Sequence, residues 1–584
     1  STACVALSGH NYIVLGGLGK VKKVFRILLA LLMTMTLLGS VLTGCAGPAA
    51  TTTTTTAKPT TTEPPVQPEP LGKYSTPLTI HVVASTNSTV QYREGESAEK
   101  NVWISAYKDT LGIDIVYDWI ADSSQYTTKL NLAISSSALP DIFPVNGQQL
   151  STLVENDAIQ ILDDVYPAWG TTLTNDIVAQ DPVLFDLGKR DGKLYSLPNT
   201  GGGSLYDSPS MLFVRSDWLK KLNLPEPKTM DDFMKIAEAF TTQDPDGNGV
   251  DDTFALALLK NLHWTDAGPG TGISGFGDLN GFANAYNAYP GIWIKDSAGK
   301  TVYGSIQPEM KTVLLNLQNM YKANMLDKEF AVKDMAKASE STSAGKCGME
   351  FGQMWNPFYP LQFTLTNDPN ADWQPYPVPS ATGKPAKVAA SYGLLTFWVV
   401  NKNFDHPEAL VKMTNLFTEM GWGETADPMM MNGDGSTYVP FKYALAQAWP
   451  AKKNIDQHNA IVAALKSGDA SKLNAESKNV YDQITAWLPT KDPKNSGGWG
   501  ANKIFGENAT FDVINKYVAD DLYNVNLYIG VPTATMVDKQ ATLDAMELEI
   551  FTKIIMGESI DTFDKFVSDW KNLGGDQITA EMNP

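Results

Sequence analysis

The amino-acid sequence predicts an α/β fold of doubly wound sheets, repeated in two lobes. Three observations carry this expectation. From Leu78 to Phe143, β-rich runs alternate with stretches of helical spacing in β-α-β-α-β order. The same rhythm starts again at Met211. The 584 residues, 43% hydrophobic and 19% charged, hold more than two domains' worth of material. That mix excludes collagen, whole-chain disorder and a multi-span membrane protein.

Ahead of the first strand lies an address. Lys20, Lys22, Lys23 and Arg26 form a basic region, and Ile27 to Val41 is an uncharged apolar run. The run is too short for a comfortable membrane span, so residues 1–44 read as a secretory signal, with residues 1–19 as an upstream extension. Leu42-Thr-Gly-Cys45 resembles a bacterial lipobox, in which the Cys45 thiol is acylated and the chain is cut before it. An uncleaved signal anchor is the other reading of the pattern. Residues 45–77 then change character: six consecutive threonines from Thr51, and Pro-rich segments such as Glu63-Pro-Pro65, leave no apolar period from which a core could form. This is an extended tether that holds a body away from its lipid anchor.

The body opens with a strand at Leu78–Ala84, a helix over Glu99–Thr110, a strand at Ile113–Tyr117, a helix over Tyr126–Ser135 and a short strand at Leu139–Phe143. The second round has a strand at Met211–Arg215, helices over Asp217–Leu222 and Met230–Phe240, and a strand at Thr253–Leu258. Tyr392–Val400, apolar and bracketed by turn residues, is a further strand. Two such lobes favour a ligand cleft between them. The 45 Lys and Arg against 64 Asp and Glu, a net charge of −19, supply no basic face, so nucleic acid is excluded as a partner. Three cysteines make no disulfide framework, and Cys347, in an apolar run, reads as a core thiol.

Several stretches resemble the family 1 extracellular solute-binding proteins of ABC sugar importers, particularly the large Gram-positive oligosaccharide-binding lipoproteins. They are Ser137-Ala-Leu-Pro-Asp-Ile142, Asp191-Gly-Lys-Leu-Tyr-Ser-Leu-Pro198, Phe213-Val-Arg-Ser-Asp-Trp-Leu219 with Leu224-Pro-Glu-Pro-Lys-Thr229, and a C-terminal block comprising Pro532-Thr533, Phe551–Gly557 and Trp570–Gly575. Their order gives the likeness its specificity, from about residue 78 to the end. The resemblance implies a type II, periplasmic-binding-protein-like pair of lobes joined by hinge crossings. Lobe 1 would hold 78–212 and a return segment at 393–430, lobe 2 would hold 213–392, and 431–584 would be mainly lobe 2 helices. It implies no enzyme, but a monomeric lipoprotein on the outer face of a Gram-positive cell membrane. There it would bind an oligosaccharide and pass it to the transmembrane subunits of an ABC importer, touching the membrane only through its lipid.

Asp244-Pro-Asp246-Gly-Asn248-Gly249-Val250-Asp-Asp252 has oxygen donors at positions one, three, five and nine of an EF-hand-like loop, Gly at six and a backbone carbonyl at seven. Asp244, Asp246, Asn248, Val250 and Asp252 are thus candidate ligands of a structural Ca²⁺. Position twelve is Ala255, so the usual bidentate Glu is missing, and Thr253 stands where the family often has an acidic residue. A metal-free Asp/Asn/Gly turn is the competing reading.

Sugars offer apolar C–H faces and rims of hydroxyls, which Trp and Tyr rings and neutral amides match. The ligand candidates are Trp355, where the family often has a stacking Trp; Trp264, just after a strand; and Trp499, in a glycine-rich Ser-Gly-Gly-Trp-Gly stretch. Tyr286, Tyr289 and Trp293 form a further cluster, with Asn87 and Asn146 in lobe 1. Arg215 has two readings, a ligand carboxylate partner or a hinge ion pair. Trp103, Trp218 and Trp570 read as core. Two rival functions remain: a secreted glycoside hydrolase, with Glu350 near Trp355 as a carboxylate to watch, and a peptide-binding or sensory lipoprotein. No G-x-S-x-G elbow or His-x-x-x-His pair favours hydrolysis.

Overall fold

A computed structural model describes residues 68–583 except 87–89, 200–204, 264–274, 393–395, 434–437 and 530–531. The signal, Cys45, most of the tether, Asn87 and Trp264 therefore lie outside the described residues. Nine strands make the two principal sheets: β1 (Leu78–Thr86), β2 (Ile113–Asp122), β3 (Ile142–Val145), β4 (Leu197–Asn199), β5 (Met211–Arg215), β6 (Phe254–Leu256), β7 (Cys347–Gly352), β8 (Trp373–Tyr376) and β9 (Thr396–Val400).

The first sheet has the order β2-β1-β3-β9-β4. The β1 strand runs parallel to β2 and β3, with a register shift between Val82 and Val83, and β9 runs antiparallel to β3 and β4. Alternation explains why the sheet is covered on both faces. Ile80, Val82, Ile142, Trp398 and Val400 enter one apolar cluster, while Val83, Phe143, Val145, Phe397 and Val399 enter another on the opposite face. Helix Val102–Ala106 starts at Asn101, whose side chain accepts from Trp103 N and Ile104 N, and it buries Trp103 on the first face. Helix Gly147–Glu155 covers the second with Leu150 and Leu153. The return helix Glu408–Trp422 packs on the first face, and the same cluster continues past residue 430 to Met431, Tyr438 and Tyr443–Ala446.

The chain enters this lobe over a rivet. Lys412, buried in the return helix, donates through Nζ to the Glu69 carbonyl (2.8 Å), and Asn415 Nδ2 donates to the Pro70 carbonyl (3.2 Å). The Lys412 ammonium also lies over the rings of Tyr74 and Trp169, at 5.0 and 5.1 Å. Burial lowers its pKa.

The second sheet has the order β8-β5-β7-β6. It is mixed: β5 is antiparallel to β7 and β8, and β7 is parallel to β6. All five residues of β5 and all six of β7 are buried, as a central pair covered on both faces requires. Helix Met230–Thr242, closed by a Thr229/Asp232 capping box, buries Phe233, Ile236 and Phe240 against this sheet. Trp103, Trp218 and Trp570 are core residues, as their spacing predicts, and Cys347 is a buried free thiol. Among the described residues no helix is long and apolar enough to cross a membrane.

Candidate functional site

Each of the two sheets has one edge at which the chain passes between them. In the first, the parallel strands β1 and β3 end at Thr86 and Val145, and β9 pairs back through Phe397 to Val145 and through Thr396 to Asn199. Residue 146 and the chain ends that lead between the lobes therefore share one edge, the carboxyl edge where α/β sheets place their ligands. In the second sheet, Gly352 at the end of β7 pairs with Met211 at the start of β5, so this edge too adjoins the crossing.

Trp355 stands on that second edge. A turn after β7 carries it, closed by Gln353 N donating to the Gly275 carbonyl (3.0 Å) and Asn356 N to the Gln353 carbonyl (3.1 Å). The ring is 47% exposed, and its Nε1 donates to Gln353 Oε1 (3.1 Å). Gln353 Nε2 in turn donates to the Ser208 carbonyl (3.0 Å), and Ser208 Oγ accepts from Ser391 N (3.1 Å). One amide side chain thus ties an exposed tryptophan to the first segment of the crossing, and Ser208 joins that segment to the second. Sequence reading did not single out Gln353; a polar residue two positions before the Trp was the only available signal.

Beneath the turn lie two buried carboxyls. Glu350 Oε1 accepts from Asn356 Nδ2 (2.8 Å), and burial, then the nearby Asp278, push its pKa well up despite that bond. Asp278 accepts from Ser210 Oγ (3.1 and 3.0 Å) and Gly281 N (3.3 Å); burial outweighs these bonds and raises it to about 7. Glu350 is a fully buried bracket for Asn356, with no exposure to a substrate, so it does not make the carboxylate pair a hydrolase needs.

Other candidates fall elsewhere. Asn146 is on the first edge, where its Oδ1 accepts from Gln149 N in a capping box. Trp499 is 2% exposed inside helix Ser496–Phe505, a correction to the flexible glycine-rich loop expected there. Tyr289 and Trp293 are also core residues: Trp293 packs against Tyr303 and Trp570, and half-buried Tyr286 packs against Phe282. Arg215 lies at the end of β5 away from the crossing. It is 1% exposed, bonds Asp217 and Asp368 (2.6 Å each) and covers Trp218, which corrects the ligand reading and gives an ion pair outside the hinge.

The Asp244 loop is folded around its own carboxylates. Asp244 accepts from Gly247 N, Asn248 N and Gly249 N, and Asn248 Oδ1 accepts from Val250 N. Asn248 Nδ2 reaches both Asp246 Oδ2 (2.8 Å) and Asp252 Oδ1 (3.2 Å), and Lys346 pairs with Asp252 (3.1 Å). Partial burial, then the adjacent Asp244, raises Asp246. Among the described residues no group of three or more His, Cys, Asp and Glu side chains is gathered as a metal cage. The all-oxygen donor set fits Ca²⁺ in chemistry, with the Asn248 amide standing between carboxylates that a cation would draw together. Thr253 faces away, its hydroxyl bonded to the Phe240 carbonyl.

The family described as bacterial extracellular solute-binding protein matches residues 92–423, more than half of the chain. The chain belongs to that family. Members bind solutes and are not enzymes. The Lipoprotein LipO of Bacillus subtilis is 26% identical over 43% of this chain and 46% of its own length. The polygalacturonan/rhamnogalacturonan-binding protein YtcQ of the same organism is 28% identical over 40% of this chain and 43% of its own length. The chain thus spans less than half of these curated relatives. Among solved structures, the EF-hand mutant of the Streptococcus pneumoniae ABC-transporter substrate-binding protein FusA, in complex with fructo-nystose, aligns with a TM-score of 0.56. That alignment covers 86% of this chain and 98% of FusA at 18% identity. This likeness shows the fold, a type II solute-binding architecture of two lobes.

Proposed function

We propose that this protein is a lipoprotein of the outer cell surface, acting as a monomer, which closes its two lobes on an oligosaccharide and delivers it to an ABC importer. The observation that carries the reading is Trp355: an oriented, half-exposed indole on the sheet edge beside the crossing, tied by Gln353 to Ser208, whose hydroxyl accepts from Ser391 N. An indole face covers a sugar's C–H face, and neutral amides serve its hydroxyls. Hinge closure is a known way for two lobes to capture a small ligand. Relatives are named for fructooligosaccharide and pectic glycans, so both belong in the test.

A thermal-shift screen against fructans, xylans, α-glucans and oligogalacturonates is expected to raise the melting temperature with one class. Trp355→Ala should abolish that shift without changing the unliganded melting point. No shift with any glycan, alongside a shift with peptides, would replace the reading. The support for the lipid anchor is Cys45 behind its apolar run; metabolic labelling with a palmitate analogue, lost in Cys45→Ala, tests it. We also assign the Asp244 loop a structural Ca²⁺ held by Asp244, Asp246, Asn248, Asp252 and the Val250 carbonyl. Turning the Asn248 amide would bring its oxygen to the ion.

A further inference from the structure

We propose that Trp355, Tyr359 and Phe363 form one aromatic track, in which Tyr359 and Phe363 are an outer subsite for the additional rings of a long, uncharged glycan leaving the cleft. The proposal rests on the binding reading above. Among the described residues, these three are the only aromatics among the exposed large apolar side chains; the others are aliphatic or methionine. Their exposures are 47, 42 and 43%. Single exposed apolar residues need no explanation, but three rings gathered on a few residues of chain do.

The backbone explains the row. Tyr359 N donates to the Trp355 carbonyl, Leu361 N to that of Asn356, Gln362 N to that of Pro357 and Phe363 N to that of Pro360. The segment winds so that every fourth residue faces out. The residues between them face in: Leu361 and Leu365 are core residues, and Phe358 lies against Gly500, leaving no room there for a Cβ. Tyr359 and Phe363 meet edge to face, with centroids 6.0 Å apart. The row thus has a firm backing and starts at the ring proposed for the cleft.

Chemistry selects the occupant. From Phe351 to Asn367 the chain has no charged side chain, although the protein carries a net −19. The polar groups it leaves at or near the surface are neutral: the amides of Gln353, Gln362 and Asn367 and the hydroxyls of Tyr359 and Thr366. An anionic membrane would call for lysines and arginines, and a protein interface of this size for a charged rim. Rings interleaved with neutral amides suit a neutral carbohydrate, and continuity with Trp355 makes it the same chain that occupies the cleft.

The test is a calorimetric titration with fructan, xylan and α-glucan ladders, each as trimer, tetramer and octamer. The variant is Tyr359→Ala with Phe363→Ala, Trp355 kept. Both rings are exposed, and an unchanged melting point verifies the fold. In the ladder that binds, the octamer is expected to bind about tenfold tighter than the trimer. The double variant should lose that gain and keep trimer affinity. A trimer that binds with no gain from length, or a gain that survives in the variant, overturns the outer subsite and leaves the cleft reading standing. No binding by any of these neutral ladders overturns the outer subsite, and the cleft reading then stands or falls with the oligogalacturonate and peptide arms of the thermal-shift screen. If wild type instead binds anionic vesicles or self-associates, and the variant does not, the track belongs to another occupant and the proposal is overturned.

Discussion

Trp355 and Trp499 both sit near glycines in the second lobe, yet one is half exposed and the other is core. Around Trp499 the glycines serve contact, not mobility. A Cβ at Gly498 would lie 2.6 Å from Trp487 Cβ, and one at Gly500 would lie 2.7 Å from the Phe358 ring. Small residues let helix Ser496–Phe505 approach its neighbours, and Asn495 caps it through Gly498 N. Trp355 follows a strand end and is held by one amide, with 47% of it exposed. Glycine beside tryptophan therefore has two meanings, decided by what lies across from the glycine.

The contrast can be broken by mutation. The largest effect is expected from Trp499→Ala, which leaves a cavity in the core and should cost about 3–5 kcal/mol of stability in chemical denaturation. Trp355→Ala should leave denaturation unchanged and weaken glycan binding roughly ten- to thirtyfold by calorimetry. If Trp355→Ala destabilised the protein as much as Trp499→Ala, the assignment of roles would fail.

Smaller effects sharpen the picture of the second lobe. Removing Ca²⁺ with a chelator should lower the melting midpoint by roughly 2 °C, and Asp244→Ala should abolish that response. A pH dependence is expected as well. Asp278 is raised to about 7 in the folded state, so the native protein binds more protons than the unfolded chain between about pH 4 and 7. Its contribution to stability is therefore greatest at the acid end of that window and falls as pH rises through 7. Asp544, raised to about 7 by burial, has the same sign. Melting curves of Asp278→Asn should be flatter across this range than those of the wild type.

Much of the fold was legible because periodicity reports burial directly. The strand at Met211–Arg215 and the helix starting at Met230 fall where the pattern puts them, and the core tryptophans at 103, 218 and 570 follow from helical spacing. The site was less legible. Trp355 is marked by its resemblance to the family's stacking Trp, but exposure depends on what packs over a ring, and residues distant in sequence decide that. Arg215 has two readings in the sequence, a ligand partner and an ion pair, and one of the partners that decides for the ion pair, Asp368, is far along the chain. Gln353 is marked only as a polar residue two positions before the Trp, since an amide's role depends on the carbonyl it meets.

The grip of Lys412 and Asn415 on Glu69 and Pro70 has a mechanical meaning. Tension arriving along the polypeptide from upstream meets a side-chain clamp seated in a core helix before it reaches β1. Force is spread into the first lobe's interior and does not peel its leading strand from the sheet. The first lobe is thus the one that receives any pull on the upstream chain.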